Sequence, residues 1–221
     1  MSSKYINIHT HSNLSSDQTN IISIYSHSIG DSRCITRGYY SIGVHPWDVE
    51  SLSIEAVEQK IMAYLQDERC VAIGEIGLDY HRNLDHDLQR KVFGVQLRLA
   101  NKCHKPVILH VVKSYHDILS YWKENQGVWI FHAFQGSEEF MLRFIDAPVY
   151  FSLGIREVNR LKKMNLIHLI PLDKLFLETD DKGDTIEEVY AHFCVNSGYP
   201  LEMIKKCIFG NFCKVFKDVK Y

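Results

Sequence analysis

Eight short runs of β-branched and aromatic residues recur along the chain, separated by stretches in which apolar residues return every third or fourth position. The runs are Tyr5 to His9, Ile21 to Tyr25, Tyr40 to Val44, Val71 to Glu75, Pro106 to His110, Val128 to His132, Val149 to Leu153 and Leu175 to Glu178. Short strands alternating with helices are the pattern of parallel strands joined by crossover helices. Eight of them predict a barrel. Between the runs, Ile54 to Gln66 carries a helical stripe of Ile54, Val57, Ile61 and Leu65, and Leu88 to Ala100 repeats it with Leu88, Val92, Val95 and Leu99. Further helices are predicted from Ser114 to Asn125, from Ser137 to Ile145 and near Ile186 to Asn196, with Leu201 to Cys207 beginning a terminal one. Gly127 and Pro148 mark returns to strand.

The 221 residues, 46% of them hydrophobic, suffice for one sizeable core and predict a single domain. That length is near the lower end for eight β/α units, so some connections must be short. The compression falls in the N-terminal part, where Ser28 to Tyr39 includes Gly30, Asp31 and Gly38 without an amphipathic stripe. A net charge of -2 lacks the basic footprint of a protein that grips nucleic acid over its whole surface. No apolar stretch reaches the roughly 20 residues of a membrane helix, and a strand-like segment stands where a signal peptide would. The expectation is a cytoplasmic protein with no membrane association and no obligate protein partner. The six cysteines (Cys34, Cys70, Cys103, Cys194, Cys207, Cys213) form no CxxC pair and read as reduced thiols.

Histidines and acids at strand ends carry the chemistry. His9 and His11 close the first run as an HxH pair, and the period of two sends both side chains to one face. Glu75 ends the apolar Val71-Ala72-Ile73-Gly74, where an ionised carboxylate needs a cation. That cation is a metal or, alternatively, Arg69, Arg82 or another base in an ion pair. His110 and His132 each end a buried-looking strand, the place from which the active residues of β/α barrels come. Asp180 follows the eighth run in the same way. Asp181 competes for its role, and a helix cap is the other reading of Asp180. Four histidines and two carboxylates without sulfur suit zinc, manganese, iron or magnesium. They exceed what one ion needs, so two ions about 3.5 to 4 Å apart are expected, with Glu75 the shared ligand.

Gly74-Glu75-Ile76-Gly77-Leu78-Asp79-Tyr80 closely resembles the GEIGLD signature of the TatD family of metal-dependent deoxyribonucleases. Other features of that family occur in order: the initial HxH, Gly43-Val44-His45-Pro46, Gln89 and Phe93 with Gln96-Leu97, Phe131 to Ser137, Leu177-Glu178-Thr179-Asp180, and Gly210-Asn211-Phe212. The resemblance spans essentially the whole chain. It implies a distorted TIM (β/α)8 barrel of the amidohydrolase-like group and two divalent ions, Mg2+, Mn2+ or Zn2+. His9, His11, Glu75 and Asp180 would hold one ion, and Glu75, His110 and His132 the other. His45 and Asp79 would line the substrate site, DNA would be the substrate, and the reaction would be phosphodiester hydrolysis, often 3'-5' exonucleolytic. Three departures stand out. Asn7 occupies a position usually held by Asp, Val111-Val112-Lys113 replaces a common Ser-Arg-Asp, and the stretch after Asp180 is short. Lys113 offers substrate a point charge without arginine's fork.

Arg82, Lys113, Arg156 and Lys182 follow strand ends and predict a phosphate-binding rim, with solvated side chains as the alternative. Trp47, Tyr80 and Phe134 are candidates to stack on bases or to pack a lid. In the mechanism this predicts, Asp180 orients and deprotonates the attacking water and Glu75 shares its charge between the ions. His9-Thr10-His11-Ser12 with Ser15-Ser16-Asp17 is also similar to the opening of polymerase-and-histidinol-phosphatase metallophosphoesterases, which need a late Asp-x-His; Asp180-Asp181-Lys182 does not supply it. Hydrolysis of a small amide, lactone or phosphoester is a further alternative, since one metal site serves several substrates. An inactive nucleic-acid-binding relative is the alternative of another class, and the intact ligand set argues against it.

Overall fold

The computed structural model describes residues 3–12, 19–31, 37–124, 127–217 and 219. Cys34, Asn125 and Ser15-Ser16-Asp17 lie outside the described residues. The strands are β1 (Tyr5–Thr10), β2 (Ile21–Ser28), β3 (Tyr39–Gly43), β4 (Cys70–Asp79), β5 (Val107–Val112), β6 (Trp129–Phe131), β7 (Val149–Leu153) and β8 (Leu175–Leu177). The α-helices among the described residues are α1 (Ile54–Tyr64), α2 (His86–Lys102), α3 (Tyr115–Glu124), α4 (Glu138–Leu142), α5 (Ile155–Lys163), α6 (Ile186–Ser197) and α7 (Leu201–Val215). The eight strands follow one another in the sheet in chain order, and a parallel bridge between Thr10 and Asp180 sets β1 beside the end of β8. This is the (β/α)8 barrel class that the strand count predicted. Residues 29–31 and 37–38, the described part of the segment between β2 and β3, form no helix.

Backbone contacts divide the chain into two compact units, residues 1–25 with 132–221 and residues 26–131. In the first, Ile6 and Ile8 of β1 are wholly buried, as are Leu175, Phe176 and Leu177 of β8 and Val189, Ile204, Ile208 and Phe212 of α6 and α7. Tyr190 latches α6 to β1, its hydroxyl accepting from Ile6 N at 3.1 Å and donating to Ile6 O at 3.2 Å. Asn211 of α7 donates to the carbonyls of Leu172 and Leu175 (2.8 and 2.9 Å), which fixes the start of β8. α6 begins with Thr185 accepting from Glu188 N while Glu188 accepts from Thr185 N, and ends at Gly198 with φ 77°. That is a reciprocal cap at one end and a left-handed stop at the other.

α5 was not predicted. It has Ile155, Val158 and Leu161 at single three-residue steps among charged residues, too few apolar positions to register as a stripe. Its first turn is held by Glu157, whose carboxylate accepts from Gly154 N at 3.2 Å.

In the second unit, β4 pairs with both β3 and β5, and α2 packs against β4. β4 runs four residues beyond the predicted Glu75, to Asp79, and all its residues are buried. The cause is close strand approach: a Cβ on Gly77 would lie 1.9 Å from His110 O, and one on Gly74 would lie 2.6 Å from the Ile108 Cβ. Glycine at these positions lets the signature stay paired with β5 instead of ending the strand.

Candidate metal centre

Two ladder irregularities lie where ligands were expected. In β1 against β2 the register moves from Asn7↔Ser23 to Thr10↔Tyr25, and in β4 against β5 from Ile73↔Val107 to Ile76↔Leu109. Each places one extra residue on the strand bearing the ligand. Such bulges re-aim side chains, here those of His9 and Glu75.

In the first unit, His9 Nε2 and His11 Nε2 each stand 3.5 Å from Asp180 Oδ1. Asp180 is held in the left-handed region (φ 54°), a conformation aspartate tolerates better than most residues. Its N–H donates to His9 O and its carbonyl accepts from His11 N, both at 3.1 Å, so the loop after β8 is stitched to the HxH segment. Asn7 supports that loop: it donates to Thr179 Oγ1 (2.9 Å) and accepts from Thr179 N (3.1 Å), and the Thr179 hydroxyl donates to Thr10 Oγ1 (3.0 Å). Asp181 is exposed and pairs with Lys182, which leaves Asp180 as the acid beside the histidines.

The His132 ring lies 4.4 Å from that of His9, centroid to centroid. Its Nδ1 is 3.3 Å from Oε1 of Glu178, which also accepts from Ala133 N at 2.7 Å. A carboxylate on Nδ1 directs Nε2 outward as the ligand atom. Glu178 is 0% exposed. Sequence reading assigned it no role, although a carboxylate closing a buried strand is the signal that singled out Glu75.

In the second unit, Glu75 Oε1 lies 2.6 Å from His110 Nδ1 and 3.3 Å from His45 Nε2. The arginines that might have paired with Glu75 are engaged elsewhere: Arg69 grips Asp67, and Arg82 stacks on Trp47. His110 Nε2 faces Asp79 Oδ2 at 3.3 Å. Asp79 Oδ2 also accepts from Trp47 Nε1 (2.6 Å), and Oδ1 accepts from His81 N (2.8 Å). Burial alone would raise this carboxyl, but His110, Trp47 and the His81 N–H outweigh it and hold Asp79 well below the usual carboxylate range. Gln89 pins the end of the strand, accepting from Asp79 N and donating to Asp79 O.

His9, His11 and Asp180 each present one ligand atom within 4.8 Å of the others, and so do His45, Glu75 and His110. Metal–ligand bonds of about 2.0–2.2 Å set neighbouring ligands roughly 3–4 Å apart, so both groups fit a divalent ion of nitrogen and oxygen preference. His45, expected to line the substrate site, stands with Glu75 and His110 in the second of these groups. Lys113 is exposed directly after β5, and Val112 is itself the last residue of β5, paired with Asp79. Phe134 is buried, and Tyr80 is half-buried and engaged, donating to Asp117 (2.5 Å), accepting from Arg90 (2.8 Å) and stacked on His86. Trp47 is 43% exposed. Among the described residues no helix is long and apolar enough to cross a membrane.

The chain is 34% identical over 152 residues to a Bacillus subtilis protein named uncharacterized metal-dependent hydrolase YabD, covering 64% of this chain and 58% of the relative. It is 34% identical over 147 residues to the Citrobacter koseri 3'-5' ssDNA/RNA exonuclease TatD, covering 62% and 55%. The chain thus spans little more than half the length of the curated relatives it matches. The fold is that of the crystal structure of YJJV, a TatD homolog from Escherichia coli K12, with TM-score 0.81, 22% identity and coverage of 96% and 98%. With the family of TatD related DNases matching residues 31–217, a span that holds His45, Glu75, Asp79, His110, His132 and Asp180, the chain belongs to that family.

Proposed function

We propose that the protein is a divalent-metal-dependent hydrolase that cleaves phosphodiester bonds in DNA, as a deoxyribonuclease with 3'-5' exonuclease action on single strands. The observation that carries this reading is the gathering of metal-competent side chains at strand ends, His9, His11 and Asp180 in one group and His45, Glu75 and His110 in another. The exonuclease name of the Citrobacter relative supports the substrate.

In this proposal His9, His11, Glu75 and Asp180 hold one ion and Glu75, His110 and His132 the other, the ions being Mg2+, Mn2+ or Zn2+. Bound there, they would supply a water acidic enough to attack at neutral pH and would neutralise charge on the phosphate. Asp180, fixed by its backbone bonds to His9 and His11, orients the attacking water and takes its proton. Glu178 keeps His132 turned to present Nε2. Asp79, held ionised, braces His110 through Nε2 and positions Trp47. His45 and Lys113 meet the substrate, Lys113 as a point charge.

The test is a screen of purified protein with magnesium, manganese or zinc against single-stranded DNA, duplex DNA, RNA and small phosphodiesters. Single-stranded DNA cleavage that EDTA abolishes is expected. Opening of lactones without cleavage of any phosphodiester would overturn the nuclease reading.

A further inference from the structure

The Arg82 guanidinium lies over the Trp47 indole, its Cζ 3.5 Å from the ring centroid. Both residues are exposed, yet Trp47 is fixed on three sides. Its Nε1 donates to Asp79 Oδ2 at 2.6 Å, its backbone N donates to His45 Nδ1 at 3.2 Å, and its ring stands edge-to-face with His45 (4.5 Å) and His110 (5.7 Å). Arg82 is therefore tied through one indole to the residues around Glu75 and His110. Among the described residues it makes no ion pair, whereas Lys182 spends its charge on Asp181 and Arg90 on Asp87 and Asp117. Arg82 is exposed as a residue, and a guanidinium stacked on an indole keeps its N–H groups able to grip an oxyanion with two parallel hydrogen bonds.

We infer that Trp47 and Arg82 form a subsite for a substrate phosphate other than the one cleaved, with Arg82 as the binding residue and Trp47 as its positioning residue. The subsite selects an oligonucleotide over an ester with a single phosphate. The inference rests on the phosphodiesterase reading above. A strand with several phosphates engages both the Glu75–His110 group and the stacked guanidinium, whereas a small diester engages only the former.

The test compares wild type with Arg82→Ala, Arg82→Lys and, as a control for lost positive charge, Arg143→Ala just past the end of α4, whose partner is Glu139 in that helix. Steady-state kinetics are run in manganese on a short single-stranded oligothymidylate and on bis(4-nitrophenyl) phosphate, and KM for the oligonucleotide is followed from about 50 to 200 mM salt. In Arg82→Ala, kcat/KM for the oligonucleotide falls at least about tenfold more than for the diester, chiefly through KM, as expected for a lost charge-assisted hydrogen bond. The salt dependence flattens by about 0.7 in log–log slope, the share of one single-strand phosphate contact. Arg82→Lys keeps the slope and recovers part of KM, and Arg143→Ala changes neither. Equal losses on both substrates, or an unchanged slope in Arg82→Ala, would overturn the subsite while leaving the hydrolase reading intact. A wild type that cleaves neither substrate with any metal would remove both.

Discussion

Replacing Glu178 with glutamine separates what the fold needs from what the metal needs. In the folded protein one carboxylate oxygen accepts from Ala133 N at 2.7 Å and faces His132 Nδ1 at 3.3 Å. The other, Oε2, is buried without a hydrogen-bond partner among the described residues. The glutamine carbonyl can occupy the first position and keep both contacts, while the NH2 group takes the second and the buried charge disappears. Losing the charge assistance weakens two hydrogen bonds by about 1 kcal/mol in all, and removing a desolvated carboxylate with one unmatched oxygen returns a comparable amount. Stability of the metal-free protein should then change by less than about 1 kcal/mol, or within roughly 2–4 °C in melting temperature for a chain of this size. His132 becomes a weaker base in a less fixed orientation, and metal affinity falls about 10- to 100-fold. Glu178→Ala instead leaves the Ala133 N–H unsatisfied and opens a cavity, costing about 2–4 kcal/mol. Calorimetric titration with manganese and thermal melting in EDTA measure the two effects separately. Wild-type metal affinity in Glu178→Gln would refute the role given to Glu178, as would an affinity loss matched by an equal loss of metal-free stability.

Further outcomes follow from the same contacts. Gly77→Ala would set a Cβ 1.9 Å from His110 O, so it should destabilise by about 3 kcal/mol or more and displace His110, read as a lowered denaturant midpoint with lost metal binding. Tyr190→Phe strips the hydroxyl from Ile6 N and O and should cost about 1–3 kcal/mol in urea unfolding; an unchanged midpoint would contradict the latch between α6 and β1. Burial first, and then the Glu178 charge, raise the Glu157 carboxyl. A raised acid favours the protonated fold, so its contribution is fully favourable only below the unfolded-state value and is lost as pH rises through the folded-state value. Wild-type stability should therefore improve as pH falls from neutrality toward that range, and a Glu157→Gln variant should lack this component in melting curves taken across pH.

The eight strands were legible because each is a short apolar run bounded by polar turns, and the candidate ligands at strand ends because a charge or imidazole closing such a run is conspicuous. His9, His11 and Asp180 come together as the spacing required, and so do Glu75 and His110. What sequence could not carry was anything set by the close approach of backbones. The bulges that re-aim His9 and Glu75, and the extension of β4 through Gly77, arise from pairing between strands distant in sequence. α5 escaped because its buried face holds two apolar residues, Val158 and Leu161, beside the acidic Glu157. Glu178 was hidden in a motif whose aspartate drew the attention, and the approach of His45 to Glu75 joins residues distant in sequence.

The most direct test of the account is calorimetric titration of manganese into metal-stripped wild type and Glu75→Gln, with single-stranded DNA cleavage followed in the same preparations. The account predicts two binding events in wild type, both weakened in Glu75→Gln, with cleavage lost. Two undisturbed sites and full cleavage in Glu75→Gln would contradict it.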